Sequence, residues 1–123
     1  MAKYWVMNSS YRFQWGSWQI GGPRHYYRGC LILSLIKKII PGGRILDVGC
    51  STGSLMVQLA LKGYHVYGID ASEECVRLTA ERLRVFTRDA SSFIKRSGAE
   101  QIDFPDGLFD GVIAAEVLEH IVV

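Results

Sequence analysis

The sequence predicts an α/β domain, a doubly wound parallel sheet with helices on both faces in three αβα layers. Short apolar strands alternate with helical stretches, the pattern of such sheets. The stretch Ile45-Leu46-Asp47-Val48 runs into Gly49-Cys50-Ser51-Thr52-Gly53, a buried strand closing on an acid and two glycines. Two more acids, Asp70 and Asp89, fall near the ends of the next two expected strands.

The elements follow in order. Residues 1–27 hold eight of the fourteen aromatics, including all three tryptophans, without a clean period. They read as a lid or cap, and the basic aromatic segment is bounded at residues 1–29. Cys30 to Ile40 reads as a helix with Leu31, Leu35 and Ile39 on one face and Ile32 and Ile36 beside them. Lys37 and Lys38 suit its last turn, and Pro41-Gly42-Gly43 stops it. Ile45 to Val48 is a strand. Ser54 to Leu61 is a helix apolar on most sides, which must therefore be covered, and Gly63 closes it. Tyr64 to Ile69 is a second strand ending at Asp70. Ser72 can cap the next helix, whose stripe is Val76, Ala80 and Leu83. Val85 to Thr87 reads as a third strand, and a short helix is expected around Phe93 and Ile94. Pro105-Asp106-Gly107 marks a turn. Phe109 to Ala115 is a fourth strand, and Glu116 to Ile121 opens a helix.

Charge is unevenly spread. Residues 1–46 carry seven Lys or Arg and no acid, while residues 47–123 carry seven basic and twelve acidic residues. The basic part could dock an anion, but no recognised nucleic-acid motif accompanies it. The three cysteines, Cys30, Cys50 and Cys75, include no C-x-x-C pair. Their odd number argues against a disulfide framework or a zinc site and fits a reducing cytoplasm. No apolar run is long enough to span a bilayer.

In open parallel sheets, ligands bind at the carboxyl ends of the strands. Glycines there let the backbone turn sharply and let a ligand come close. A carboxylate at Asp70, 21 positions after Gly49, can accept hydrogen bonds from both hydroxyls of a ribose. An adenosine-like ligand is therefore expected across the top of the sheet. The loop lacks the G-x-G-x-x-G of nicotinamide and flavin folds, and no G-x-x-x-x-G-K-[ST] occurs. It does spell G-x-S-x-G, a hydrolase elbow with Ser51 as nucleophile, His120 as base and Asp103, Asp106 or Asp110 as acid. A hydrolase elbow follows several strands, however, and no strand pattern precedes this one.

Ile45-Leu46-Asp47-Val48-Gly49-Cys50-Ser51-Thr52-Gly53-Ser54-Leu55 resembles the first motif of class I S-adenosylmethionine-dependent methyltransferases. Gly68-Ile69-Asp70-Ala71-Ser72 resembles that family's second-strand acid, and Arg88-Asp89-Ala90 its adenine-side segment. Phe104-Pro105-Asp106-Gly107-Leu108-Phe109-Asp110 and Glu116-Val117-Leu118-Glu119-His120-Ile121 resemble the fourth strand of the type 11 branch. The resemblance implies a Rossmann-like sheet in the order 3-2-1-4, incomplete against the family's seven strands. It implies S-adenosyl-L-methionine as cofactor and methyl transfer to an acceptor, expected to be a small molecule. Asp47, Gly49, Cys50 and Gly53 would surround the methionine part, with Asp47 facing its ammonium. Asp70 and Ala71 would lie at the ribose, and Asp89 and Ala90 at the adenine. Many members have glycine where this chain has Ser51, so Ser51 narrows the loop or caps the helix. Glu116, Glu119 and His120 share a helix face and resemble the metal-ligand segment of some methyltransferases.

On this view residues 30–123 are the cofactor-binding part of a methyltransferase domain, and the fourth strand is an open edge where another chain could associate. The chain is then expected to be a fragment. The alternative is a non-catalytic cofactor-binding or interaction module completed by a partner.

Overall fold

The structure, a computed structural model, describes residues 23–88 and 90–115. The chain divides into two units, residues 1–39 and 40–123. Most of the expected aromatic lid, residues 1–22, lies outside the described residues. In the first unit, helix α1 spans Pro23–Ile39. It begins at Pro23 rather than Cys30, because proline is preset for a first helical position and lacks an N–H that would go unpaired there. Among its described side chains Leu33 and Ile36 are buried, while Leu31, Leu35 and Ile39 are exposed. The shielded side is thus that of Ile36, expected beside the stripe, rather than the stripe of Leu31, Leu35 and Ile39 itself.

The second unit contains β1 (Arg44–Val48), α2 (Ser54–Leu61), β2 (His65–Asp70), α3 (Glu73–Leu83), α4 (Ala90–Phe93), β3 (Ile94–Arg96) and β4 (Gly111–Ile113). The strands are parallel in the order β3-β2-β1-β4, as the resemblance implies. β1 is central, and Ile45, Leu46, Asp47 and Val48 are all buried. At its start, the Arg44 amide donates to Asp110 Oδ2 at 2.7 Å and the Asp110 amide donates to the Arg44 carbonyl at 2.8 Å. These bonds set the register of β4 against β1.

Side chains alternate across the sheet. Leu46, Val48 and Ile69 form the core of one face, covered by Tyr67, Ala99, Phe104 and Phe109. Tyr67 meets Phe93, Phe104 and Phe109 edge-on, with ring centroids 5.1, 5.5 and 5.1 Å away. The edge-on geometry sets the positive ring edge against the negative ring face. The other face carries Ile45, Asp47 and Gly68, and receives α2 and α3. Gly68 permits close packing there, since a Cβ would stand 2.7 Å from Met56 Sδ.

α2 buries Met56, Val57 and Leu59 and ends at Lys62, with Gly63 beyond it in the left-handed region. α3 opens as expected, the Ser72 side chain accepting from the Cys75 amide at 3.3 Å. Its buried side chains are Leu78, Thr79, Ala80 and Leu83, with Val76 only half-buried.

The third strand differs from expectation. Val85–Thr87 is not a strand: the amides of Phe86 and Thr87 turn back to the Leu83 carbonyl at 2.9 and 3.1 Å. Those bonds prolong the end of α3 and leave Val85 exposed. The strand beside β2 is Ile94–Arg96, whose Ile94 is 3% exposed against 80% for Val85. The short helix expected around Phe93 is present immediately before it as α4. β4 is shorter than the expected 109–115 span: only Gly111–Ile113 pair with β1, and Phe109 before them joins the aromatic cluster. Among the described residues β4 pairs only with β1, so its other side is open.

Candidate functional site

The loop after β1 crosses directly to β2. The amides of Gly49 and Cys50 both donate to the Ile69 carbonyl, at 2.8 and 3.0 Å. Three of the loop's residues lie in the left-handed region: Gly49 (φ 73°), Ser51 (φ 54°) and Gly53 (φ 81°). For Gly49 and Gly53 this is easy; for a residue with a Cβ it costs about 1–2 kcal/mol. Gly53 is also held by space, since a Cβ there would lie 2.8 Å from Thr79 Cγ2. It is the N-cap of α2, without a side-chain cap. Ser51 does not cap α2; its amide instead donates to Asp70 Oδ2 at 2.9 Å.

Two carboxylates stand at this loop. Asp47 is 5% exposed, and no ion pair reaches it among the described residues. Burial, and then the nearby charge of Asp70, push its pKa from the ordinary 3.8 up to about 7. Asp70, at the end of β2, accepts from the amides of Ser51 (2.9 Å, Oδ2) and Ser72 (2.8 Å, Oδ1). An ionised carboxylate has about four lone-pair sites, so capacity remains for further donors. Ala71 beside it is exposed, and its carbonyl accepts from Arg96 Nε at 3.2 Å. Cys50 is buried, and burial, followed by the charge of Asp47, raises its thiol pKa well beyond the usual range. Both features suit packing rather than nucleophilic attack.

Asp47, Gly49, Cys50, Gly53, Asp70 and Ala71 are therefore brought together at the carboxyl ends of β1 and β2. Ala90 is not brought with them. It is fully buried at the head of α4 and lines a cavity of about 390 Å³ with Tyr64, His65 and Phe86, at the amino end of β2. Asp89 lies outside the described residues, as do Glu116, Glu119 and His120. Among the described residues no group of three His, Cys, Asp or Glu side chains could hold a metal. Of the acids in the hydrolase arrangement, Asp110 is fixed at the amino end of β1, away from Ser51 beyond its carboxyl end, and the base His120 lies outside the described residues.

Two residues of the site escape sequence reasoning. Thr79 Oγ1 donates to the Ser51 carbonyl at 2.9 Å, and Arg82 Nη1 donates to the Thr52 carbonyl at 2.8 Å. Both come from α3, 26 or more positions beyond the loop. Their one signal is a threonine at a buried helix position, where an apolar residue would be expected.

Residues 45–123 match the family described as the methyltransferase domain. A ubiquinone biosynthesis O-methyltransferase of Hahella chejuensis is 37% identical over 86 residues, covering 69% of this chain and 35% of that protein. A ubiquinone/menaquinone biosynthesis C-methyltransferase of Geotalea uraniireducens is 33% identical over 84 residues, covering 66% of this chain and 36% of that protein. The chain thus spans about a third of the length of these curated relatives. The fold is shared with the crystal structure of the PH0226 protein from Pyrococcus horikoshii, at a TM-score of 0.61 and 24% identity over 89% of this chain and 49% of that one. With a glycine loop and two strand-end carboxylates on a parallel 3-2-1-4 sheet, the chain belongs to the class I S-adenosylmethionine-dependent methyltransferase family.

Proposed function

We propose that this chain binds S-adenosyl-L-methionine at the ends of β1 and β2 and serves methyl transfer to a small-molecule acceptor. The observation that carries the reading is Asp47. A buried carboxylate with no cation beside it is costly, and here a second carboxylate stands nearby. A ligand bearing an ammonium and a diol suits that pair, whereas a pyrophosphate would be repelled.

The cofactor, when bound, supplies a methyl group already activated on a sulfonium. The residues of this chain bind and orient. Asp47 gives up its proton and faces the ammonium. Asp70 accepts from the ribose hydroxyls while its bonds to the Ser51 and Ser72 amides hold its plane. Gly49 and Gly53 keep the backbone close to the ligand, and Cys50 packs beneath it. Fixing the donor in this way supplies proximity and orientation, the main contribution the reaction needs from the protein. Further strands of a longer protein would add at the open side of β4. The three cysteines are free, which fits a reducing compartment such as the cytoplasm.

Titration calorimetry of S-adenosylhomocysteine into the purified chain tests the reading, with Asp70→Ala beside it. The expected result is micromolar or tighter binding, weakened about tenfold or more by the substitution. A folded chain that binds nothing, or an Asp70→Ala chain that binds as well as the parent, contradicts it.

A further inference from the structure

We infer that Thr79 is a positioning residue for cofactor binding: from α3 it pins the left-handed Ser51 by its carbonyl, while Asp70 holds the same residue by its amide. The inference rests on the cofactor site proposed above but concerns a residue with no place among that site's ligands.

Ser51 is the only residue other than glycine with a left-handed φ among the described residues. It is fastened at both ends. Its amide donates to Asp70 Oδ2 at 2.9 Å, and its carbonyl accepts from Thr79 Oγ1 at 2.9 Å. Thr79 is completely buried, and its hydroxyl also lies 3.8 Å from Cys50 Sγ. A buried hydroxyl is expensive unless it is hydrogen-bonded, so valine would serve better if position 79 only filled space. Arg82, three residues on and on the same face of α3, donates to the neighbouring Thr52 carbonyl and lies 3.4 Å from Ser54 Oγ. Gly53 fits flush against the Thr79 side chain. α3 thus holds the loop through the consecutive carbonyls of Ser51 and Thr52, while the Ser51 amide, in the preceding peptide, donates to Asp70. Loss of the Thr79 hydroxyl frees the Ser51 carbonyl, lets the residue relax from its left-handed conformation, and withdraws an amide from Asp70. The carboxylate then loses the orientation in which it meets a ribose. Thr79 acts through Asp70 and touches no ligand itself.

The test compares Thr79→Val, Thr79→Ser, Ser51→Gly and the double substitution Thr79→Val/Ser51→Gly in the full chain. Affinity for S-adenosylhomocysteine is read by calorimetry, and exchange of the Ser51 and Leu46 amides by NMR. Thr79→Val is expected to weaken binding roughly threefold to tenfold, as for a lost hydrogen bond, and Thr79→Ser to restore it. In the Ser51→Gly background, where no pin is needed, the same change costs less than half as much. A loss of affinity equal in both backgrounds, or an affinity unmoved by Thr79→Val, overturns the inference. The exchange arm separates it from the cofactor reading. If the parent chain binds no S-adenosylhomocysteine, yet Thr79→Val speeds exchange at Ser51 and not at Leu46, the pin stands and the cofactor reading falls. If exchange at Ser51 is unchanged, the pin falls.

Discussion

The Ser51 amide donates to Asp70 Oδ2 at 2.9 Å, tying the loop after β1 to the acid that ends β2. That bond joins two motifs 19 residues apart into one site. With the Ser72 amide it fixes the Asp70 carboxylate at the loop, near the buried Asp47.

Asp47→Asn should separate stability from binding. Its pKa is raised from 3.8 to about 7, so over that range the folded chain holds a proton that the unfolded chain has lost. Stability therefore falls as pH rises from about 4 to about 7 and is level above that. Asparagine removes the ionisation penalty, and chemical denaturation at pH 8 should show a gain of up to about 4 kcal/mol. The same variant should bind S-adenosylhomocysteine at least about tenfold more weakly. Opposite signs of this kind mark a residue kept for function at a cost in stability.

Gly53→Ala should be destabilising by about 1–3 kcal/mol, since it forces a left-handed alanine. The added Cβ would also press on Thr79 Cγ2 at 2.8 Å. Thermal or urea unfolding checks this, and the left-handed φ alone forbids relief by a smaller neighbour.

The position of the third strand has its own test. Ile94→Ala should cost about 2–4 kcal/mol, because it empties a buried site against the sheet. Val85→Ala should stay within about 0.5 kcal/mol, as at other exposed positions. Were Val85 the strand residue, the two effects would be reversed.

Much of the fold is legible in the sequence because its signals are local. Ser54–Leu61 is bounded by Gly53 and Gly63, and the observed helix has those limits. Asp47, Gly49 and Asp70 are legible for the same reason, standing at strand ends, and Gly53 stands at the start of α2. The third strand misled because Val85-Phe86-Thr87 and Phe93-Ile94 are both short apolar runs, which periodicity cannot rank. Tertiary packing decides between them: Ile94 aligns with Gly68, while the amides after Leu83 complete the turn of α3. Arg82 is illegible because its partner is a backbone carbonyl, which carries no sequence signature, and Thr79 signals only as a polar residue at a buried helix position. Ser51 signalled a departure from glycine, yet only its φ of 54° shows that it must be held in place rather than cap α2.

Asp47 and Asp70 are proposed to receive a cationic cofactor together. The most direct test is the affinity of the chain for S-adenosylhomocysteine between pH 6 and 8, measured by calorimetry in two buffers of different ionisation enthalpy. An ammonium needs the ionised carboxylate, and Asp47 titrates at about 7. The account predicts affinity rising about tenfold over that span, with close to one proton released per ligand at pH 6. Asp47→Asn should abolish both. Affinity independent of pH, with no proton released by a chain that binds, would contradict the account.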